Sequence, residues 1–269
     1  MTVTIDQFVG LATARHCTRA FAGGPVPREI LDRVLAAAAH APSTRNGQPW
    51  RVEVVTGAAL DGLVTRLCGE FDRGTPPRLE YRNRPPRPDP VAEQRARAAG
   101  AGVLAAFGIA RDDEPARRAH LRRNLRFYGA PVALVCHLPA GCGAGTFLEL
   151  GFFLQNVMLG LVAAGLGSCP QASVASYPDV LRERLGLGPD RLIVCTLAVG
   201  YPDPEAPVNA FVPARAAVAE YVRWHRQPLP VPWAMAIRGD AAEPAAVRAP
   251  AVGTAGESTT CSHSRERTS

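Results

Sequence analysis

Two short segments of the chain concentrate side chains that bind anions and flat polar groups. The first, residues 15–21, reads Arg-His-Cys-Thr-Arg-Ala-Phe and places Arg15 and Arg19 on either side of Cys17. A guanidinium group binds a phosphate or carboxylate through two parallel hydrogen bonds, so this pair predicts an anion site. The alternative is that both arginines are solvated at the surface.

The second segment, residues 41–50, reads Ala-Pro-Ser-Thr-Arg-Asn-Gly-Gln-Pro-Trp and follows a helix-like run. Its two prolines are rigid, and Gly47 permits a positive φ. Such a loop is suited to holding a flat polar ligand, although an ordinary surface loop has the same composition. The side chains that supply donors and acceptors are Ser43, Thr44, Asn46 and Gln48.

Taken together, these segments resemble the FMN-dependent nitroreductase family. Its members open with an Arg-x-Ser-x-Arg-x-Phe-like motif and carry Pro-Ser-x-x-Asn-x-Gln-Pro-Trp further along. Three later segments are similar to the branch that contains nitrobenzoate reductases: residues 123–131 (Arg-Asn-Leu-Arg-Phe-Tyr-Gly-Ala-Pro), 167–173 (Gly-Ser-Cys-Pro-Gln-Ala-Ser) and 200–203 (Gly-Tyr-Pro-Asp). The resemblance covers about residues 7–225.

The resemblance implies an α+β fold in which a mostly antiparallel central sheet is flanked by helices. It also implies an intertwined homodimer whose FMN sites lie between the chains. NADH or NADPH would pass a hydride to flavin N5 and leave, and a nitroaromatic or similar aromatic or quinone acceptor would then take its place. The flavin carries this chemistry, so no catalytic side chain is expected.

The family's cofactor contacts are carried over residue by residue. Arg15 and Arg215 match the FMN phosphate site, and Arg19 matches the ring edge or ribityl chain. Cys17 stands where relatives often have serine, and Arg45 where many have a small or hydroxyl residue. The full expected cofactor set is Arg15, His16, Cys17, Arg19, Pro42, Ser43, Thr44, Asn46, Gln48, Pro170, Gln171, Ala172, Ser173 and Arg215, with backbone N–H groups at 171–173 reaching the flavin. The expected substrate contacts are Asn124, Phe127, Tyr128 and Arg82.

Composition excludes several other classes of protein. The 269-residue chain carries a net charge of +6 and contains no lysine, which rules out a Walker A lysine, a Schiff-base lysine and a pyridoxal phosphate anchor. Arginines interleave with acidic residues over most of the length, so no nucleic-acid partner is expected. Two alternatives stay open: a dehydrogenase or oxidase on the same scaffold, and an Arg-rich module that binds nucleic acid or protein and carries no flavin.

Cysteine usage and hydropathy bear on location. Seven cysteines without a Cys-x-x-Cys pair form neither a disulfide framework nor a metal motif. Cys261 and His263 in the tail lack companion ligands, so no metal is expected there. The chain has no uninterrupted apolar run of ~18 residues and no N-terminal leader pattern. We therefore expect a cytoplasmic protein without a membrane partner.

The domain prediction has two parts. Residues 1–236 are expected to form the FMN-binding domain, including a mobile Arg- and Pro-rich lid at about 72–97, one of whose arginines could grip a substrate carboxylate or the NADPH 2′-phosphate. The alternative for each of these arginines is a solvated loop position. Residues 237–269 are rich in Ala, Pro, Thr, Ser and Gly and are expected to be a disordered tail.

Periodicity places the remaining elements. The pattern predicts a wholly apolar helix that starts with a capping box at Thr146 and Glu149 and runs to about Gly165. An apolar surface all round indicates either a core helix or a subunit interface. The other predicted helices are 5–14, 27–40, 98–109, 115–126, 177–185 and 215–225, and the predicted strands are 52–55, 132–136 and 192–199.

Overall fold

The computed structural model describes residues 2–226, and the predicted tail at 237–269 lies outside them. Its centre is a four-stranded sheet in the order β1-β2-β4-β3. The strands are β1 Arg51–Thr56, β2 Val132–Pro139, β3 Gly167–Gln171 and β4 Arg191–Gly200. Every pairing is antiparallel, which confirms the predicted sheet.

Helices flank this sheet. In chain order they are α1 Ile5–Ala14, α2 Arg28–Ala38, α3 Gly57–Asp72, α4 Pro90–Ala106, α5 Glu114–Leu125, α6 Ala144–Ala163, α7 Ala172–Ala175, α8 Pro178–Leu185 and α9 Pro207–Ala210. Two 3₁₀ turns lie at Thr44–Asn46 and Phe127–Gly129. From Ala216 the chain forms a separate unit, in which α10 spans Val218–Tyr221.

Strand β2 shows why the sheet is central. Successive side chains of a strand point to opposite faces, and both faces of β2 are covered, so seven of its eight residues are buried. Ala133 and Val135 pack in one core with α3, α5 and α8, whereas Leu134 and Cys136 pack in a second core with α2 and α6. A strand covered on both faces reads as a continuous apolar run, which is how its position was predicted.

Several predicted boundaries were wrong. Helix α6 begins at Ala144, and its N-cap is Gly143 rather than Thr146. Glu149 instead accepts a hydrogen bond from the distant Thr44 N–H at 2.8 Å. Helix α4 starts at Pro90 under an Asp89 side-chain cap, so the last part of the predicted lid is helical. The helix predicted at 215–225 is reduced to the single turn of α10.

Helix α6 is only partly covered within one chain. Leu150, Phe153 and Leu161 are buried, but Leu148 is 59% exposed and Phe152 is 40% exposed. By length and composition α6 is the one helix of residues 2–226 that could cross a membrane, and core helices of soluble proteins have the same character. The prediction allowed either a core helix or a subunit interface, and within one chain α6 is not buried on all sides. An apolar stripe of α6 is therefore exposed within one chain.

Gly167 at the start of β3 allows the 15–21 segment to approach the sheet. A Cβ at this position would overlap the Thr18 side chain. We therefore expect Gly167→Ala to lower the free energy of unfolding by about 1–3 kcal/mol, because overpacking forces neighbouring groups to move. Urea denaturation monitored by circular dichroism measures this change.

The control is Gly100→Ala in α4, where an added Cβ meets nothing within 4 Å. Alanine favours a helix interior by about 1 kcal/mol over glycine, so this variant should be neutral or more stable. Equal midpoints for the two variants would contradict the proposed close approach at Gly167.

Candidate active site

The segment carrying the two arginines is fixed along β3. Cys17 pairs with Ser168 in a parallel β-bridge, and the Thr18 N–H donates to the Ser168 carbonyl oxygen at 3.0 Å. Thr18 is 2% exposed. Because α1 ends at Ala14, the following residues are extended and lie beside the sheet, so Arg15, Cys17 and Arg19 are presented from a rigid backbone.

Asn209 holds the other end of this segment. Its Oδ1 accepts the N–H groups of Arg19 at 2.8 Å and Ala20 at 3.2 Å. Its Nδ2 donates to the carbonyl oxygens of Ala20 at 2.8 Å and Asp203 at 2.9 Å. Asn209 therefore ties the arginine segment to the turn after β4. The sequence alone does not identify this residue, because no local pattern indicates a contact with a segment so distant in the chain.

Positive charge dominates the surroundings of Cys17. A hydrogen bond from Cys169 lowers the pKa of the Cys17 thiol, burial opposes this, and the charges of Arg19 and Arg15 lower it further, to about 6. Within residues 2–226 the ion pairs that join arginines to carboxylates do not include Arg15 or Arg19. The two guanidinium groups thus keep net positive charge for an anionic ligand.

A cavity of about 940 Å³ opens beside Arg19. Asn124 and Tyr128, two of the predicted substrate contacts, line it together with His120. Burial raises the pKa of the Tyr128 phenol, so this group stays neutral and can donate a hydrogen bond. The rest of the wall comes from α4, α5 and the connection between them, and includes Arg97, Arg111 and Arg117.

The other two predicted substrate residues lie elsewhere. Phe127 is completely buried in the core, so its side chain packs beneath this wall instead of facing a ligand. Arg82 is exposed, in the stretch before α4, and is not among the residues that line the cavity.

The segment after β3 is joined to the same wall. The Gln171 side chain is buried and its Nε2 donates to the Asn124 carbonyl oxygen at 2.7 Å. Ser173 Oγ donates to Asn124 Oδ1 at 2.8 Å. The side chain of Gln171 is therefore used internally, and its Oε1 is buried without a described hydrogen-bond partner. The N–H groups of Ala172 and Ser173 open α7 and have no intrahelical partner, whereas Pro170 is exposed and has no N–H.

The polar loop at 42–48 has an unusual backbone. Positive φ values occur at Arg45 (52°), Asn46 (56°) and Gln48 (43°), whereas Gly47 has a φ of −68°. The prediction that Gly47 supplies the positive φ was wrong. Its role is close approach, because a Cβ there would lie 3.1 Å from the Thr44 carbonyl oxygen.

Side-chain hydrogen bonds hold this loop. Ser43 Oγ accepts the Gln48 N–H at 3.0 Å, and Gln48 Nε2 donates to Asn46 Oδ1 at 3.1 Å. At the end of the loop, Trp50 stacks on Phe153 of α6 with ring centroids 5.0 Å apart. The loop is thus anchored on α6, and Pro42 lies exposed at its start.

The predicted cofactor residues form separate groups within one chain. Contacts join Arg15, Cys17 and Arg19 to the wall of Asn124, Tyr128, Gln171 and Ser173. The 42–48 loop belongs to the α6 surface. Arg215 is exposed, and its guanidinium donates to the nearby carbonyl oxygens of Pro213 and Ala214. His16 Nδ1 lies 2.8 Å from the Ala14 carbonyl oxygen.

Comparisons with known proteins agree with this architecture. A family model described as the nitroreductase family matches residues 12–201. Nitroreductase NfnB of Mycolicibacterium smegmatis is 36% identical over 218 residues, which are 80% of this chain and 92% of that protein. A 4-nitrobenzoate reductase of Nocardioides sp. is 31% identical over 222 residues, covering 81% of this chain and 90% of that protein.

A solved structure shares the fold over almost the same span. The FMN-dependent nitroreductase NfnB from Mycobacterium smegmatis in complex with NADPH superposes with a TM-score of 0.79 at 34% identity, covering 83% of this chain and 100% of that one. The resemblance drawn from the polar segments is confirmed. This chain belongs to the nitroreductase family.

Proposed function

We propose that the protein is an FMN-dependent NAD(P)H oxidoreductase that reduces nitroaromatic compounds. Two relatives support this: one is an FMN-dependent nitroreductase crystallised with NADPH, and one is a 4-nitrobenzoate reductase. The observation that carries the proposal is that Arg15 and Arg19, on a backbone fixed to β3, form no ion pair with a carboxylate of the described residues. A phosphate ester is the kind of ligand such a pair binds.

The residues present fit FMN. Arg15 would hold the phosphate, with Arg215 as a second cation, and Arg19 would lie at the ring edge where negative charge accumulates on reduction. The buried, unpartnered Gln171 Oε1 lies beside the cavity wall and can accept one more hydrogen bond. Because the chain contains no lysine, arginine is the side chain available for each of these cationic roles.

The chemistry that FMN supplies when bound is hydride transfer from NADH or NADPH to an acceptor. The chain's own residues position the reactants. Backbone N–H groups at 171–173 present fixed dipoles, which need no reorganisation during the reaction. Tyr128 and Asn124 are polar residues of the cavity wall against which the aromatic acceptor would lie.

A homodimer is part of the proposal. The exposed apolar residues of α6 and α1, including Phe152, Leu148 and Phe8, form a surface that a second copy would cover. Thr44 is bonded to Glu149 of α6, so the 42–48 loop would reach a partner's arginine segment when the α6 surfaces meet. We place the protein in the cytoplasm, where its free cysteines would stay reduced.

A dehydrogenase or oxidase on the same fold is the alternative that needs a direct comparison. The purified protein should be yellow and should oxidise NADPH or NADH when 4-nitrobenzoate is added, with nitroso and hydroxylamine products identified by mass spectrometry. Turnover with molecular oxygen or a quinone alone would favour the alternative. A colourless protein that takes up no added FMN would contradict the whole proposal.

Arg15→Ala should weaken FMN binding by about 10–100-fold, because a hydrogen bond between charged groups contributes roughly 1.5–3 kcal/mol. Arg215→Ala should act in the same direction. Flavin absorbance per chain after gel filtration, followed by titration of the apoprotein with FMN, measures both effects.

Arg28→Ala is the matched control, since Arg28 is an exposed arginine whose ion-pair partner is Asp32 of its own helix. It should retain flavin like the unmodified protein. Unchanged flavin content in both the Arg15 and Arg215 variants would refute the phosphate assignment while leaving the family unaffected.

Phe152→Glu should convert the homodimer into monomers, because a charge on the apolar α6 surface cannot be buried without a partner. Light scattering coupled to gel filtration gives the mass directly. Val54→Glu on strand β1 serves as the control, since Val54 is 46% exposed on a different surface. Equal masses for both variants and the unmodified protein would argue against an α6 interface.

A further inference from the structure

The described part of the chain contains two pairs of neighbouring thiols. Cys17 lies beside Cys169, and Cys136 lies beside Cys195. All four cysteines are free. The chain therefore offers a comparison between two pairs that differ in their surroundings, and neither has a role in the proposed reaction.

Backbone pairing holds each pair together. Cys17 bridges Ser168, the residue before Cys169, and the Thr18 N–H to Ser168 bond fixes this register. Cys136 faces Cys195 directly across β2 and β4. Neighbouring strands lie about 4.8 Å apart, and a disulfide spans Cα separations of roughly 4.4–6.8 Å. Proximity alone thus does not distinguish the pairs.

Access does not distinguish them either, because each pair has one buried thiol (Cys169, Cys136) and one partly exposed thiol (Cys17, Cys195). Charge does distinguish them. Cys17 is partly exposed, and the pKa of its thiol is lowered first by the neighbouring Cys169 thiol and then by the charges of Arg19 and Arg15, which favours the thiolate. Cys136 is completely buried, and the hydrogen bond with Cys195 together with burial raises its pKa. A thiolate attacks peroxides whereas a thiol does not. The first pair is therefore expected to react with peroxide faster than the second.

We propose that Cys17 and Cys169 form a redox-active dithiol, a modification site that closes to an intramolecular disulfide when the protein meets hydrogen peroxide. Cys17 is the residue that reacts first, because it is the partly exposed member and borders both guanidinium groups. Cys169 resolves the product, since it is buried at 3% exposure directly beneath it.

The steps balance as follows. The Cys17 thiolate sulfur attacks one peroxide oxygen, the O–O bond breaks, and hydroxide leaves, so Cys17 becomes a sulfenic acid. The Cys169 thiol then attacks the Cys17 sulfur, the S–O bond breaks, and the hydroxyl group leaves as water with the thiol proton. The hydroxide takes up the proton that Cys17 released on ionisation, so two thiols lose two electrons and one peroxide is reduced to two waters.

Oxidation of Cys17 also favours the second step, the attack by Cys169. The pKa of Cys169 is raised first by its hydrogen bond to Cys17 and then by burial. Conversion of the Cys17 thiolate into a neutral sulfenic acid removes the larger of these effects. The Cys169 thiol then loses its proton more readily, at the moment when its sulfur is needed as a nucleophile.

The test uses the purified full chain, in flavin-loaded and flavin-free form, treated with hydrogen peroxide and then with an alkylating reagent. Digestion with trypsin and chymotrypsin under non-reducing conditions should give peptide 16–19 joined to peptide 167–181. We expect this cross-link to form at least about tenfold faster than a link between Cys136 and Cys195, in at least one of the two forms, because of the difference in thiolate population. Both pairs are measured in the same molecule, so this comparison needs no variant.

Variants assign the order of events. Cys169→Ser should accumulate sulfenic acid at Cys17, detected with a cyclic dione that labels this group, whereas Cys17→Ser should abolish both label and cross-link. Cys195→Ser is the control and should leave the 17–169 link unchanged. A 17–169 link no faster than the 136–195 link, in both the flavin-loaded and the flavin-free protein, would overturn the proposal. That result would not affect the proposed reductase activity, which is measured separately.

Discussion

The hydrogen bond from the Thr18 N–H to the Ser168 carbonyl oxygen is the interaction on which the site depends. It converts the stretch after α1 into an addition to the edge of the sheet beside β3. Without it, Arg15 and Arg19 would lie on a flexible connection and would lose rotational freedom when a ligand bound. Gly167 makes this approach feasible, and Asn209 fixes the far end of the segment. The Asn209 side chain makes three of its hydrogen bonds to Arg19 and Ala20, and these bonds restrain the backbone of the segment.

The position of the 15–21 segment beside β3 also determines the charge around Cys17. Two arginines held on one backbone repel each other unless a negative charge lies between them. In this protein the Cys17 thiolate supplies part of that charge. A serine, which the family often has here, would remain neutral. Replacement of the serine oxygen by sulfur allows the side chain to carry negative charge between the two arginines. The same replacement makes the position oxidisable.

Local sequence predicted those parts of the structure that local physics determines. Strand β2 was found because burial on both faces demands an unbroken apolar run, and α2 because its apolar residues repeat with helical spacing. Asn209 could not be found, since its partners lie far away in the chain. Glu149 matched a capping box, yet its carboxylate binds Thr44 from another loop. The start of α4 did carry a local signal, Asp89 followed by Pro90, but the surrounding proline- and arginine-rich composition outweighed it in the prediction.

The 42–48 loop has a strained backbone and lies on the α6 surface that a second copy would cover in the proposed homodimer. Arg45, Asn46 and Gln48 adopt positive φ without being glycine, a conformation that costs of order 1–3 kcal/mol at each residue. A few exposed hydrogen bonds within the loop and one to Glu149 offset only part of this cost, because exposed hydrogen bonds contribute about 1 kcal/mol or less. Backbone strain of this kind is typical of segments that contribute to a binding or catalytic site. The loop is fixed to α6, whose apolar stripe is open, so the same subunit contact that covers the stripe would bring the strained loop to its ligand. In the proposed homodimer, packing of α6 and assembly of the site would be a single event.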